Sequence, residues 1–246
     1  MNDSELAVRK ALQEAESVAV LTGAGVSAES GIPTFRGREG LWRNYSPEQL
    51  ATAEAFERNP ALVWQWYDWR RGLIHKAQPN AGHRALAELE DRLTERGRRP
   101  ESFRLITQNV DGLHDRAGSR RILKLHGDIW LLRCLGCGKV ERNEQVPLAH
   151  LPPRCLCGSL LRPGVVWFGE SLPAAEWDQA EDAARRAQIF MVIGTSGVVY
   201  PAAGLVEISR RAGAQVVVIN PEPTALDAAA AWVLRGQSGE ILRRLV

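Results

Sequence analysis

Residues 17–28 read Ser17-Val18-Ala19-Val20-Leu21-Thr22-Gly23-Ala24-Gly25-Val26-Ser27-Ala28. A short apolar run that stops at a glycine turn is the pattern of a buried strand feeding a tight connection. Four runs of the same character follow, at residues 103–106, 122–125, 189–193 and 216–219. Helical patterns at 6–15, 80–96, 174–186 and 202–212 separate most of them. Strands alternating with helices predict an α/β fold, a Rossmann-like parallel sheet with helices on both faces. Two segments break the alternation. Residues 38–78 are rich in aromatic side chains and carry a helix announced by Asn59-Pro60, a cap followed by proline in the first turn. Residues 130–163 are rich in cysteine, proline and glycine. Both read as insertions on one side of the sheet.

The chain has 246 residues, enough for one large domain or one with a small satellite. Hydrophobic residues at 45% and charged residues at 24% exclude a disordered chain, a coiled coil and a collagen-like repeat. No apolar run reaches the ~18 residues of a membrane span, and a net charge of +2 gives no bulk attraction to nucleic acid. Neither a membrane nor direct nucleic-acid binding is expected. The acidic start Met1-Asn2-Asp3-Ser4-Glu5 is unlike a signal peptide, so a cytoplasmic location is expected, where structural disulfides are rare. The four cysteines, Cys134, Cys137, Cys155 and Cys157, are clustered in the second insertion. Four thiolates close a tetrahedral shell and leave no open position, which predicts one structural zinc. The expected organisation is therefore a sheet domain from 1–37, 79–129 and 164–246, with a small domain made of a helical module (38–78) and a zinc-binding module (130–163).

Ligands of open parallel sheets bind beyond the carboxyl ends of the strands. Here those ends carry Gly23-Ala24-Gly25, Gln108-Asn109-Val110-Asp111, His126-Gly127, Gly194-Thr195-Ser196 and Asn220-Pro221-Glu222. Gly-x-Gly at a strand end suits close approach to a pyrophosphate, and five polar or glycine-rich ends together predict a nucleotide cleft. A hydride-transfer dehydrogenase places an acid ~20 residues past the glycines for the ribose. In this chain that distance falls in loop-like sequence between Thr34 and Arg43, which counts against an ordinary oxidoreductase.

The stretch Gly23-Ala-Gly-Val-Ser-Ala-Glu-Ser-Gly-Ile-Pro-Thr-Phe-Arg-Gly37 resembles the opening motif of the sirtuins, NAD-dependent protein-lysine deacylases. Gln108-Asn-Val-Asp111, Leu125-His-Gly127, Gly164-Val-Val-Trp-Phe-Gly-Glu170, Gly194-Thr-Ser196 and Asn220-Pro-Glu222 resemble the later motifs, in order. The resemblance implies that NAD is consumed: nicotinamide leaves the ribose and the acyl oxygen of a substrate lysine takes its place. It implies His126 as general base, a role suited to an imidazole near pH 7. Asn109 and Asp111 would line the nicotinamide pocket. Ala24, Ala28, Thr34, Gln108, Thr195 and Ser238 would join the glycines and the Asn220-Pro221-Glu222 end around NAD. Phe35, Arg36 and Trp42 would belong to a cofactor loop, Phe35 shielding the ribose from water. Val166, Phe168, Gly169 and Glu170 would form the lysine tunnel and its edge, with the peptide added as a strand. The second cysteine pair is spaced by one residue where sirtuins carry two, so the family's earlier ligand falls at Arg154 and Cys155 takes its place.

Tyr67 and Arg70 are three apart and share a helix face. A phenol and a guanidinium on one face can bind a carboxylate. Tyr-x-x-Arg here, with Ala51 as the small residue in Leu50-Ala51-Thr52, resembles the class that removes succinyl and malonyl groups. The expected partners are acyl-lysine proteins or peptides. A plain deacetylase and an ADP-ribosyltransferase of the same fold are the nearest alternatives. A zinc-ribbon interaction module with a vestigial cleft is a third.

Overall fold

The protein is described by a computed structural model covering residues 1–35, 41, 46–95 and 100–246. The chain begins with α1 (Asp3–Glu14), β1 (Val18–Thr22) and a 3-10 turn over Ala24–Ser30. The first insertion gives α2 (Pro47–Leu50), α3 (Ala53–Arg58) and α4 (Pro60–Lys76). Next come α5 (Ala81–Glu95), β2 (Phe103–Thr107), α6 (Leu113–Arg116) and β3 (Ile122–Lys124). The second insertion holds β4 (Gly127–Cys134), β5 (Val140–Arg142) and β6 (Leu161–Val165). The chain closes with α7 (Ala174–Arg186), β7 (Ile189–Ile193), α8 (Gly204–Arg211), β8 (Gln215–Ile219), β9 (Trp232–Leu234) and α9 (Ser238–Leu245).

Among the described residues the main sheet has six parallel strands in the order β3-β2-β1-β7-β8-β9. The chain reverses its direction of growth between β1 and β7, so a crevice opens beyond their carboxyl ends. Alternation along β1 divides the core. Val18 and Val20 pack with Val8, Leu12, Leu86, Leu89, Ile241 and Leu242 from α1, α5 and α9. Ala19 and Leu21 pack on the other face with Ala180, Ala184, Leu205 and Val206 from α7 and α8. Two-sided burial is why these strands read as unbroken apolar runs.

Each of the five expected strands is present, but β9 and α9 went unexpected. β9 has only three residues, Trp232-Val233-Leu234, and among the described residues it pairs with β8 alone. The second insertion contains an antiparallel sheet, β5-β4-β6, that the cysteine-rich sequence concealed. β6 carries Pro163 and Gly164, poor strand formers. A Cβ on Gly164 would sit 2.5 Å from the Leu131 Cβ, so only glycine allows β6 to lie against β4. The small sheet starts at Gly127 and ends at Val165, just outside the 130–163 insertion. α4 begins as its sequence predicts, with the Asn59 side chain accepting from the Leu62 amide at 3.0 Å. Its inner face joins the small sheet in a second core. Trp64, fully buried, donates its indole N–H to the Leu161 carbonyl at 2.8 Å.

Candidate active site

A cavity of about 910 Å³ lies over the carboxyl ends of β1, β2, β7 and β8 and extends beneath α4. Its sheet end begins at Gly23, Ala24 and Gly25. The Gly23 and Gly25 amides donate to the Ile193 and Gly194 carbonyls at 3.0 and 2.8 Å. A Cβ on Gly25 would meet the Gly194 Cα at 2.7 Å, and Gly194 itself has φ +62°. These glycines therefore let two strand ends touch backbone to backbone, a packing requirement beside any role toward a ligand.

Ala28, Thr34, Phe35, Gln108 and Asn109 continue the wall, with Thr195 and Ser196 opposite. Asn220, Pro221, Glu222 and Ser238 close the outer end. Arg36 and Trp42 lie outside the described residues. Asp111 lies at the end of the same segment as Gln108 and Asn109. It is buried, with its carboxylate accepting from Ser27 Oγ at 2.8 Å and from the Leu113 amide at 2.9 Å. The second bond holds the first amide of α6, so part of its work is helix capping. Burial raises its pKa against the pull of those donors. Asn109 Nδ2 donates to the Gly23 carbonyl and to Ser27 Oγ, which ties the end of β2 to the glycine turn.

His126 projects from the β3–β4 connection onto the wall. Its Nδ1 is 3.0 Å from the Gln108 carbonyl oxygen, which can only accept, so Nδ1 carries the proton and Nε2 keeps its lone pair. Burial lowers its pKa, with the Gln108 bond opposing. The ring is a neutral base at pH 7.

The far end is bounded by Ala51, Tyr67 and Arg70, with Val166, Phe168, Gly169 and Glu170 along the edge. Arg70 is 7% exposed, and among the described residues no carboxylate lies within ion-pair distance of it. Its guanidinium is sandwiched between Phe35 at 4.7 Å and Trp66 at 4.9 Å from the ring centroids. Burial lowers its pKa, and Tyr67 and Asp111 oppose that. A cation held between two aromatic faces, with no ion-pair partner among the described residues, is ready for an anion from the cavity. Trp66 was missed by sequence reading, although its i, i+4 spacing to Arg70 places both on one helix face. Trp167, whose indole lies over the same end, had no assigned role; nothing in the sequence places it beside Tyr67, 100 residues away.

The four cysteine Sγ atoms lie within 4.8 Å of one another and away from the cavity wall. Cys134–Cys157 and Cys137–Cys155 separations are 3.5 and 3.8 Å. A tetrahedral shell with Zn–S of ~2.3 Å needs sulfurs about 3.8 Å apart, so the donors fit zinc. The short Cys155-x-Cys157 spacing is absorbed by a turn in which the Gly158 amide donates to the Cys155 carbonyl at 2.8 Å, leaving Leu156 fully exposed.

Residues 23–201 match the model of the Sir2 family. The chain belongs to the Sir2 family. An NAD-dependent protein deacylase of Aquifex aeolicus is 56% identical over 211 residues, covering 85% of each chain. A solved Sir2 homologue mutant in complex with ADP-ribose superposes with a TM-score of 0.92 at 47% identity, over 100% of this chain and 95% of that one. A Sir2 structure with a p53 peptide and NAD+ has a TM-score of 0.86 at 35% identity, over 100% and 97% of the chains. The Sir2 assignment accounts for the parallel sheet and the four-cysteine cluster together.

Proposed function

We propose that this Sir2 protein is an NAD-dependent protein-lysine deacylase that removes acetyl groups and, in addition, acyl groups ending in a carboxylate, succinyl and malonyl. The observation that carries the reading is the continuity of one cavity from the glycine turn, past His126, to Arg70, which has no ion-pair partner among the described residues. It has room for a dinucleotide at one end and an acylated lysine at the other.

NAD, when bound, supplies a ribose carbon made electrophilic by the loss of nicotinamide. Gly23, Ala24, Thr195, Ser196 and Glu222 would hold it from the sheet end, and Asn109 would fix the nicotinamide side, with Asp111 ordering that wall through Ser27. His126 Nε2 takes a proton from a ribose hydroxyl, and the Gln108 carbonyl holds the ring in the tautomer that can do so. Phe35 covers the site and excludes water. Val166 and Phe168 flank the lysine stem, and Phe168, 46% exposed, offers an edge for an extended peptide. Tyr67 and Arg70 meet the acyl carboxylate. Cys134, Cys137, Cys155 and Cys157 would hold a zinc that clamps residues 130–163 as a structural module, and 38–78 acts as the acyl-recognising module on the sheet domain.

Mass spectrometry of products from NAD with acetyl-lysine and succinyl-lysine peptides tests the reading. Nicotinamide, free lysine peptide and 2'-O-acyl-ADP-ribose are expected from both. Products from the acetyl peptide alone would leave a plain deacetylase, and ADP-ribosylated peptide would indicate transfer to another nucleophile.

A further inference from the structure

Tyr67 is 3% exposed, and burial raises its pKa, so the phenol is neutral. Its oxygen accepts a hydrogen bond from Trp167 Nε1 at 3.0 Å. An indole N–H can only donate, so the direction of this bond is not in question. The phenolic proton must then point elsewhere, and among the described residues it meets no acceptor. Tyr67 and Trp167 both line the cavity. The hydroxyl is therefore polarised as a donor toward the acyl end.

Trp167 is itself held on three sides. Arg162 lies 3.5 Å over its ring, and the ring packs against Phe56 with centroids 5.3 Å apart. Its amide donates to Glu170 Oε2 at 2.8 Å. Glu170 in turn pairs with Arg162 through two bonds, 2.5 and 2.9 Å, and Arg162 also donates to the Val165 carbonyl at 3.0 Å. This chain of contacts joins β6 to α4 and ends at the Tyr67 oxygen.

We propose that Trp167 is a specificity-determining positioning residue: by donating to the Tyr67 oxygen it commits that hydroxyl to donate, and so selects acyl groups whose end can only accept. The proposal rests on the acidic-acyl reading of the pocket. A terminal carboxylate, acceptor-only, satisfies both Tyr67 and Arg70. An acyl group ending in a methyl leaves the phenolic proton unpaired, and one ending in a donor opposes it. Arg162 and Glu170 serve the same end by fixing the indole.

The test is a double-mutant cycle read as the ratio of kcat/KM on succinyl-lysine to that on acetyl-lysine. Tyr67→Phe is expected to lower the ratio about tenfold or more, because its hydroxyl meets a charged carboxylate, and Trp167→Phe by about threefold to tenfold, the range of one neutral hydrogen bond. The double variant is expected to fall no further than Tyr67→Phe alone, because Trp167 acts through the hydroxyl. Benzothienylalanine at position 167 keeps the bicyclic shape and removes only the N–H, so it should reproduce the Trp167→Phe ratio if the phenylalanine variant folds poorly. Additive losses, or an unchanged ratio with the benzothienyl side chain, would overturn the proposal while leaving the acyl-pocket reading intact. An unmutated protein without succinyl activity would overturn that reading, and the proposal with it.

Discussion

His126 has one ring nitrogen engaged and one available. With Nδ1–H directed at the Gln108 carbonyl, Nε2 keeps the lone pair that the proposed base needs. His126→Ala should therefore lower kcat by about 10²–10⁴-fold while calorimetry shows NAD binding little changed. Near-normal turnover would remove the base assignment. Because burial depresses the His126 pKa below the ordinary 6.5, the neutral base persists to lower pH than for a free imidazole. The acid limb of kcat/KM should accordingly lie below that value. Arg70 faces a different balance. Its guanidinium is already desolvated between Phe35 and Trp66, so an incoming carboxylate supplies the missing counter-charge. Hydrogen bonds to charged groups are worth about 1.5–3 kcal/mol each. Arg70→Met should reduce kcat/KM on succinyl-lysine about tenfold to a hundredfold more than on acetyl-lysine. Equal losses on the two peptides would mean that Arg70 serves packing of Phe35 alone.

At the scale of elements, the zinc module is joined to α4 through Arg71. That side chain is fully buried and donates to the Ile129, Asn143 and Gln145 carbonyls at 3.3, 2.7 and 3.1 Å. It also lies 5.0 Å over Trp130, whose indole donates to the Asp111 carbonyl at 3.1 Å. A three-stranded sheet is too small to fold on its own core alone, so a zinc held by the four cysteines would add to its stability. Freshly purified protein should contain one zinc per chain. A strong chelator, or Cys155→Ser, should lower the melting temperature and loosen the Trp130 contact to Asp111, without competition against either substrate. Metal analysis that finds no zinc, or inhibition by chelator that added peptide relieves, would count against a closed structural site.

At the scale of the whole molecule, two buried histidines join β1, β2, α5 and α6. The His83 and His114 rings are 4.8 Å apart. The Asn80 amide donates to His83 Nδ1, so its Nε2–H points to Ser27 Oγ at 3.3 Å. His114 Nε2 meets Thr22 Oγ1 at 3.1 Å, and its buried Nδ1 has no partner among the described residues. A second proton on His114 would have no acceptor. Burial, aided by Arg84, lowers the His83 pKa to about 4 from 6.5; burial, His83 and Lys124 push His114 well below the usual value. The unfolded chain then binds more protons than the folded one below pH 6.5. Stability is fully present above that value and falls as pH drops toward 4, by on the order of 3 kcal/mol for His83. Denaturant titrations should show this fall between pH 7 and 5, and His83→Gln should flatten it. An unaltered slope would place the acid sensitivity in the carboxylates.

The order of β1, β2, β3, β7 and β8 with the helices between them, the four-cysteine cluster and most of the cavity wall were legible in the chain, because each depends on local pattern. Two-sided burial writes β1 and β7 as apolar runs, helix caps are set within three residues, and metal ligands come in close pairs. Tyr67 and Arg70 were legible for the same reason, being three apart on one helix. What lies between distant segments was not legible. The small sheet depends on partners rather than on its own composition, as Pro163 and Gly164 within β6 show, and β9 is too short at three residues to stand out. The burial of Asp111 against Ser27, the lack of an ion-pair partner for Arg70 among the described residues and the indole over Tyr67 depend on which side chains meet once the insertions fold back over the sheet. Residue type fixes what each group can donate or accept, but only tertiary packing decides which partner is within about 3 Å and whether water can replace it.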